Sequence, residues 1–395
     1  MSAPARPKPL QPPGARSRAA LGLTAAAALG QFELQVCEHC GTVQYPPREA
    51  CHRCLSVGLR WRPQSGRGEL IADTLLHQSN DAYFREHLPW RIGLVRLDAG
   101  PTAVVHVHGA CAPAPSRVQV GARLDKSGQG VLLAFSIDEV PTMADDRQLR
   151  EMTCDPQSRK VLVTDGTSEV GQAIVRALIG AGAERVWVGR ADPSKQAPGL
   201  AALEALASVK LLPLDVADAR SVRTLAAEIG GEVDILINTA EVHGAHGSLS
   251  PGGVEAARAE MDINYFGLLR LAQEFGPVMS GAIAWVNLLS IFALSNFPGH
   301  GTFSASKAAA LSLSQCLRAD LRAGGVRVIN VFPGPIDDEW SQALPQPKLT
   351  PHALAKAVVD ALKDGIEDVY PGEAAQDWLA RWRESPKLLE REIGS

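Results

Sequence analysis

Lys160-Val-Leu-Val-Thr-Asp-Gly-Thr-Ser-Glu-Val-Gly171 decides how the larger part of this chain folds. A short apolar run passes into a turn containing two glycines, Gly166 and Gly171, and then into a helical pattern. The same rhythm continues downstream. Apolar runs at 161–164, 185–188, 210–214, 234–238, 282–289 and 326–332 alternate with segments of helical periodicity. Strand and helix in strict alternation predict a parallel sheet with helices on both faces, a doubly wound α/β domain over 159–395.

Upstream the pattern changes. The polar stretch 141–158 reads as a linker, and 67–140 holds short β-branched runs at 69–72, 92–97, 102–107, 117–120 and 131–135. Gly, Pro and Asp break these runs, as in a small β-barrel of the OB type. In the segment 31–66, Cys37-Glu-His-Cys40 and Cys51-His-Arg-Cys54 form two pairs ten residues apart. Each pair makes a tight knuckle, and four thiolates complete a tetrahedral zinc site with no open position, so the zinc is expected to be structural. His39 and His52 read as exposed neighbours rather than ligands; Cys111, Cys154 and Cys316 are isolated. Residues 1–30 read as a disordered tail followed by a short helix.

The composition is that of an ordinary globular protein: 395 residues, 46% hydrophobic, 21% charged, net charge −4. That length favours several domains. No apolar run approaches the ~18–20 residues of a membrane span. Arg16 and Arg18 before the Ala-rich run 19–30 imitate a signal peptide, but the cysteine pairs require reduced thiols. The expectation is a cytoplasmic chain with no membrane association.

The stretch CEHCGTVQYPPREACHRC (37–54), with Gly66-Arg-Gly-Glu-Leu70 and Leu88-Pro-Trp-Arg-Ile92, resembles the family of zinc-ribbon/OB-fold proteins associated with acyl-CoA enzymes. The resemblance implies no catalysis in this half. It implies association with a thiolase or aldolase-like enzyme, and contact with acyl-CoA. Nucleic acid, the other common OB ligand, is disfavoured by the mild net acidity and the lack of an aromatic platform among basic residues.

Residues 160–395 resemble the short-chain dehydrogenase/reductase family, with its Rossmann fold. Asp215-Val216 stands where that family contacts adenine, Asn238 ends the fourth strand, and Pro333-Gly334 ends the sixth. The cofactor motifs depart from the pattern. TGxxxGxG reads Thr164-Asp-Gly-Thr-Ser-Glu-Val-Gly171, with only Gly171 in register and Gly166 one place late. NNAG reads Asn238-Thr-Ala-Glu241, and PGxxxT reads Pro333-Gly-Pro-Ile-Asp-Asp338. Asp165, Glu169, Glu241 and Asp338 thus bring four carboxylates toward one cleft. A carboxylate ~6 Å from a phosphate charge costs roughly 2–3 kcal/mol at an effective dielectric of ~20. Two such terms offset most of a micromolar affinity of about 8 kcal/mol. NAD(P) binding is therefore doubtful. Arg190 suits a 2′-phosphate and equally suits a solvated loop.

The family's catalytic tyrosine stands thirteen residues after its serine; here Ser290 is followed at that distance by Phe303, in Phe303-Ser-Ala-Ser-Lys307. Phenylalanine has no proton to give, and loss of a general acid typically removes ~10²–10⁴ in rate. Asn264, Ser290 and Lys307 then read as remnants: Asn264 and Ser290 satisfy backbone groups, and Lys307 pairs with one of the new carboxylates. No other residue stands out as a replacement acid. Helices at about 253–278 and 301–323 correspond to the oligomer faces of the family. The reading is a scaffold. Its ribbon–barrel half recruits a thiolase- or aldolase-type enzyme, and its pseudo-dehydrogenase half pairs with itself or with an active short-chain dehydrogenase. The alternative is an NAD(P)-dependent 3-hydroxyacyl-CoA dehydrogenase or 3-oxoacyl reductase with an atypical site.

Overall fold

The computed structural model describes residues 10–138, 142–192, 194, 197–279, 281–338, 341, 342, 344 and 346–394. The expectations for residues 1–9 and 139–141 lie outside them. The described chain divides into two compact units, Leu10–Asp155 with Leu362–Glu367, and Pro156–Ala361 with the residues from Asp368 onward.

In the first unit, helix α1 (Leu21–Ala28) precedes a three-stranded antiparallel sheet in the order β2-β1-β3, made by β1 (Glu33–Cys37), β2 (Val43–Gln44) and β3 (Leu59–Pro63). The five expected barrel strands all form: β4 (Arg67–Leu76), then, after the short helix α2 (Ala82–Glu86), β5 (Trp90–Leu97), β6 (Thr102–Val107), β7 (Ser116–Leu124) and β8 (Gly130–Ser136). They close in the order β4-β5-β6-β8-β7, which leaves no free edge. Alternation sets the inside. Ala103, Val105 and Val107 on β6, and Val118, Val120, Ala122 and Leu124 on β7, are buried in one core with Leu70 and Val95.

The stretch read as a polar linker is a correction. Residues 142–155 form two 3-10 turns, and Met143, Leu149 and Met152 are fully buried against Trp90, Leu133 and Phe135. The polar residues that disguised it serve the turns: Asp145 closes a capping box with Thr142, and Asp146 accepts from the backbone of Gly109, Gln148 and Leu149.

The second unit is a seven-stranded parallel sheet ordered β11-β10-β9-β12-β13-β14-β15. Its elements run β9 (Lys160–Val163), α3 (Glu169–Gly180), β10 (Arg185–Arg190), α4 (Leu200–Glu204), β11 (Val209–Pro213), α5 (Ala219–Ile229) and β12 (Ile235–Asn238). There follow α6 (Gly253–Glu260), a π-helical turn (Met261–Gly267), α7 (Leu268–Phe275), β13 (Ala284–Leu288), α8 (Gly301–Arg322) and β14 (Arg327–Val331). The chain ends with α9 (Pro351–Asp364), the two-residue β15 (Asp368–Val369), α10 (Gly372–Glu384) and α11 (Pro386–Ile393). The strand order reverses between β9 and β12, and a doubly wound sheet opens its binding crevice at that switch point, outside the carboxyl ends of the strands. Sequence reading found six of these strands; β15 is too short to carry a period.

Candidate functional site

Two sites arise, one in each unit. In the ribbon, the amide of Gly41 donates to the Cys37 carbonyl and that of Leu55 to the Cys51 carbonyl, both at 2.9 Å, so each cysteine pair closes one knuckle. Both closing residues are left-handed, Gly41 at φ +68° and Leu55 at φ +61°. The four sulfurs lie within 4.8 Å of one another, with Cys37–Cys54 and Cys40–Cys51 separations of 3.6 Å. Tetrahedral zinc at ~2.3 Å from each sulfur requires about 3.8 Å between them, so the donor set fits. The Arg53 amide and the Thr42 hydroxyl lie 3.4 Å and 3.1 Å from ligand sulfurs, where they stabilise thiolate charge. His52 Nδ1 faces Gln44 Oε1 at 3.3 Å instead of the cluster. The ribbon holds a structural zinc through Cys37, Cys40, Cys51 and Cys54.

In the second unit the crevice is a cleft of about 820 Å³ at the carboxyl ends of β9, β12 and β13. Asp165, Glu169, Glu241 and Asp338 all line it, as do Asp215, Val216, Ser290, Phe303, Pro333 and Gly334. Gly166, Gly171, Arg190, Asn238, Asn264 and Lys307 are not among its lining residues. The glycines act in packing: a Cβ on Gly166 would meet Val188 Cγ1 at 2.0 Å, and one on Gly171 would meet the Asp165 carbonyl at 2.1 Å. Asn238 accepts from the Thr164 hydroxyl at 3.0 Å and so laces β12 to β9.

The four carboxylates are not equivalent. Asp165 Oδ1 accepts from the amide and the hydroxyl of Thr167, at 2.8 and 2.6 Å, and is folded into its own turn. Glu169 is exposed in the first turn of α3, where Ser168 already caps the Gly171 amide. Glu241 lies 2.5 Å from Lys307 Nζ. Lys307 also donates to the Leu288 carbonyl at 3.0 Å and sits 5.5 Å from the centre of the Phe303 ring. Ser290 accepts from the Phe292 amide; Asn264 accepts from the Val242 amide and donates to its carbonyl. Ser306 receives a hydrogen bond from Asn264 Nδ2 at 2.9 Å.

The sequence reading missed two histidines. The His243 ring stacks on Phe303 with centroids 3.9 Å apart, and its Nε2 lies 2.9 Å from His300 Nδ1. His243 lines the cleft. Burial, opposed by the nearby Glu241 carboxylate and reinforced by His300 and Lys307, pulls its pKa down to about 4, so the ring is neutral at physiological pH. The only signal in the sequence was its place two residues after Glu241.

The sequence profile described as short chain dehydrogenase matches residues 159–348. Two further profiles match upstream: the rubredoxin-like zinc ribbon domain of ChsH2 over 24–59, and the C-terminal OB-fold domain of ChsH2 over 61–129. An uncharacterized oxidoreductase of Staphylococcus saprophyticus is 31% identical over 222 residues, which are 52% of this chain and 92% of that protein. The human dehydrogenase/reductase SDR family member 7C is 33% identical over 199 residues, 45% of this chain and 60% of its own. Among solved structures, a short chain dehydrogenase from Burkholderia cenocepacia in complex with NADP covers 61% of this chain and 99% of its own, at 31% identity and TM-score 0.57. The chain belongs to the short chain dehydrogenase family, with ChsH2-type ribbon and OB-fold domains fused ahead of the dehydrogenase domain.

Proposed function

We propose that the protein is a non-catalytic scaffold subunit in acyl-CoA metabolism, acting in the cytoplasm. The ribbon and barrel recruit a thiolase- or aldolase-type enzyme, and the dehydrogenase-like domain pairs with a second copy or with an active short-chain dehydrogenase. The acyl-CoA setting rests on the ribbon–barrel half and its family. The physical gain is proximity: a 3-oxoacyl-CoA made by one partner meets the next at high effective concentration.

The non-catalytic part rests on one observation. Lys307 is bound to Glu241 and to the Leu288 carbonyl beneath a phenylalanine. Neither a phenol to activate nor a free ammonium remains. The residues around the cleft also fit a dinucleotide poorly. Where the cofactor would bring phosphates to the amino end of α3, Glu169 presents an exposed carboxylate that opposes the favourable helix dipole. The enzyme reading is favoured by the NADP complex of the Burkholderia relative. The zinc-loaded protein and Phe303→Tyr are assayed with a panel of 3-hydroxyacyl-CoAs and both nicotinamide cofactors, and the protein is co-purified with thiolase-type enzymes and short-chain dehydrogenases from its own source. The scaffold reading expects two inert proteins and a stable complex. Turnover by wild type that rises in Phe303→Tyr, with no complex, would reverse the assignment.

A further inference from the structure

The two knuckles of the zinc ribbon are built alike and finished differently. Each closes with an amide that donates to the carbonyl of its first cysteine, and each closing residue is left-handed, Gly41 at φ +68° and Leu55 at φ +61°. A Cβ on Gly41 would meet nothing within 4 Å, so that glycine is there for its conformation and not for room. Leucine in the same conformation is strained, and the fold gains nothing from it, because Leu55 is 78% exposed. Val57, two residues on, is 81% exposed, whereas the first knuckle, 37–43, carries no exposed large apolar residue. Single exposed apolar side chains are ordinary on a protein surface. A neighbouring pair kept against backbone strain is not.

The pair is also held still. The Cys51 amide donates to the Ser56 carbonyl at 2.8 Å and the Glu38 amide to the Gly58 carbonyl at 2.9 Å, beside the sulfurs of Cys51 and Cys54. A knob already fixed loses little entropy when a partner buries it. Its rim is positive: Arg48 and Arg53 are exposed, Glu49 is the only carboxylate from 48 to 57, and Glu38 on the other knuckle is occupied by Arg60 at 3.0 Å. Aliphatic side chains offer no face on which a base could stack, and two of them bury too little area to hold a membrane. The complement is a protein surface with an apolar socket edged by carboxylates. We propose that Leu55 and Val57 form the knob by which the ribbon docks into such a socket on its thiolase-type partner. The inference rests on the scaffold reading for the class of partner and adds the surface of this chain that the partner grips.

Leu55→Gly tests this, because it removes the knob and relieves the backbone in one step. The full-length, zinc-loaded protein is immobilised, and purified thiolase-type enzymes from its own source are passed over it one at a time. Wild type should bind one of them saturably. Leu55→Gly and Val57→Ser should each lower that affinity at least about 10-fold, the usual loss at a buried apolar anchor. Arg53→Glu should slow association and weaken its dependence on salt. Hydrogen-exchange protection of the ribbon amides in Leu55→Gly should equal or exceed that of wild type, and both proteins should sediment alike. Unchanged affinity in Leu55→Gly beside a binding wild type would overturn this inference and leave the scaffold reading standing. Lost protection in Leu55→Gly would do the same, since leucine would then serve the ribbon itself, and so would loss of an oligomer, which would give the knob to a second copy of the chain. If wild type binds none of the enzymes, the scaffold reading and the inference fall together.

Discussion

Glu241→Gln should destabilise the dehydrogenase-like unit more than Lys307→Met does, although the two residues form one ion pair. The Lys307 side chain is 3% exposed and that of Glu241 29% exposed, with 2.5 Å between their charged atoms. Removing the carboxylate leaves an ammonium buried with the Leu288 carbonyl as its remaining described acceptor. Removing one member of a buried pair typically costs 3–5 kcal/mol. Partial exposure of Glu241 and the acceptor retained by glutamine reduce this to about 2 kcal/mol. A domain of this size loses roughly 2–4 °C of Tm per kcal/mol, so the expected shift is about 4–8 °C. Lys307→Met leaves a carboxylate that reaches water and fills the buried space with an apolar chain of similar length, at a cost of about 1 kcal/mol or less. The double variant should recover most of the Glu241→Gln loss. Thermal unfolding followed by hydrogen exchange in peptides covering β13 and α8 isolates this unit. An unchanged midpoint in Glu241→Gln, or a larger loss in Lys307→Met, would refute the reasoning.

Zinc removal should unfold the ribbon: a chelator, or Cys51→Ser, should abolish exchange protection in β1, β2 and β3, because the ~10–16 kcal/mol typical of structural zinc binding is folding free energy. Protection that survives metal loss would contradict a structural role. His243 and His106 both have folded-state pKa values of about 4, lowered from 6.5 chiefly by burial. The unfolded chain binds more protons, so each contribution is fully present above pH ~6.5 and is lost as pH falls toward 4, to a limit of roughly 3 kcal/mol apiece. His243→Phe should flatten that slope for the dehydrogenase-like unit and His106→Phe for the barrel, read from urea midpoints across this pH range.

The strands were legible because their periods are long enough to see. Six parallel strands and five barrel strands fell where β-branched runs met glycine and proline. The zinc ligands were legible because paired cysteine spacing is itself a geometric statement. The gathering of Asp165, Glu169, Glu241 and Asp338 in one cleft followed from the motifs they interrupt, and so did the pairing of Lys307 with a carboxylate. What escaped was non-local or compensated. Met143, Leu149 and Met152 are three apolar residues spread through a charged stretch, and their burial depends on Trp90, far away in sequence. Gly166 resembles a turn glycine, yet its need is room for Val188. Asp165 reads as a bare charge, yet Thr167 satisfies it. His243 and His300 are 57 residues apart and meet only when the loop after β12 closes over the start of α8.

Fluorescence titration of the zinc-loaded protein with NADH and with NADPH tests the central claim most directly, because it asks for cofactor affinity independently of any substrate. The exposed Glu169 carboxylate at the head of α3 and the Glu241–Lys307 pair predict no saturable binding up to millimolar concentrations of either cofactor. Saturable binding in the micromolar range would mean that the cleft accepts the phosphates despite its carboxylates, and would contradict the account of this domain as a scaffold.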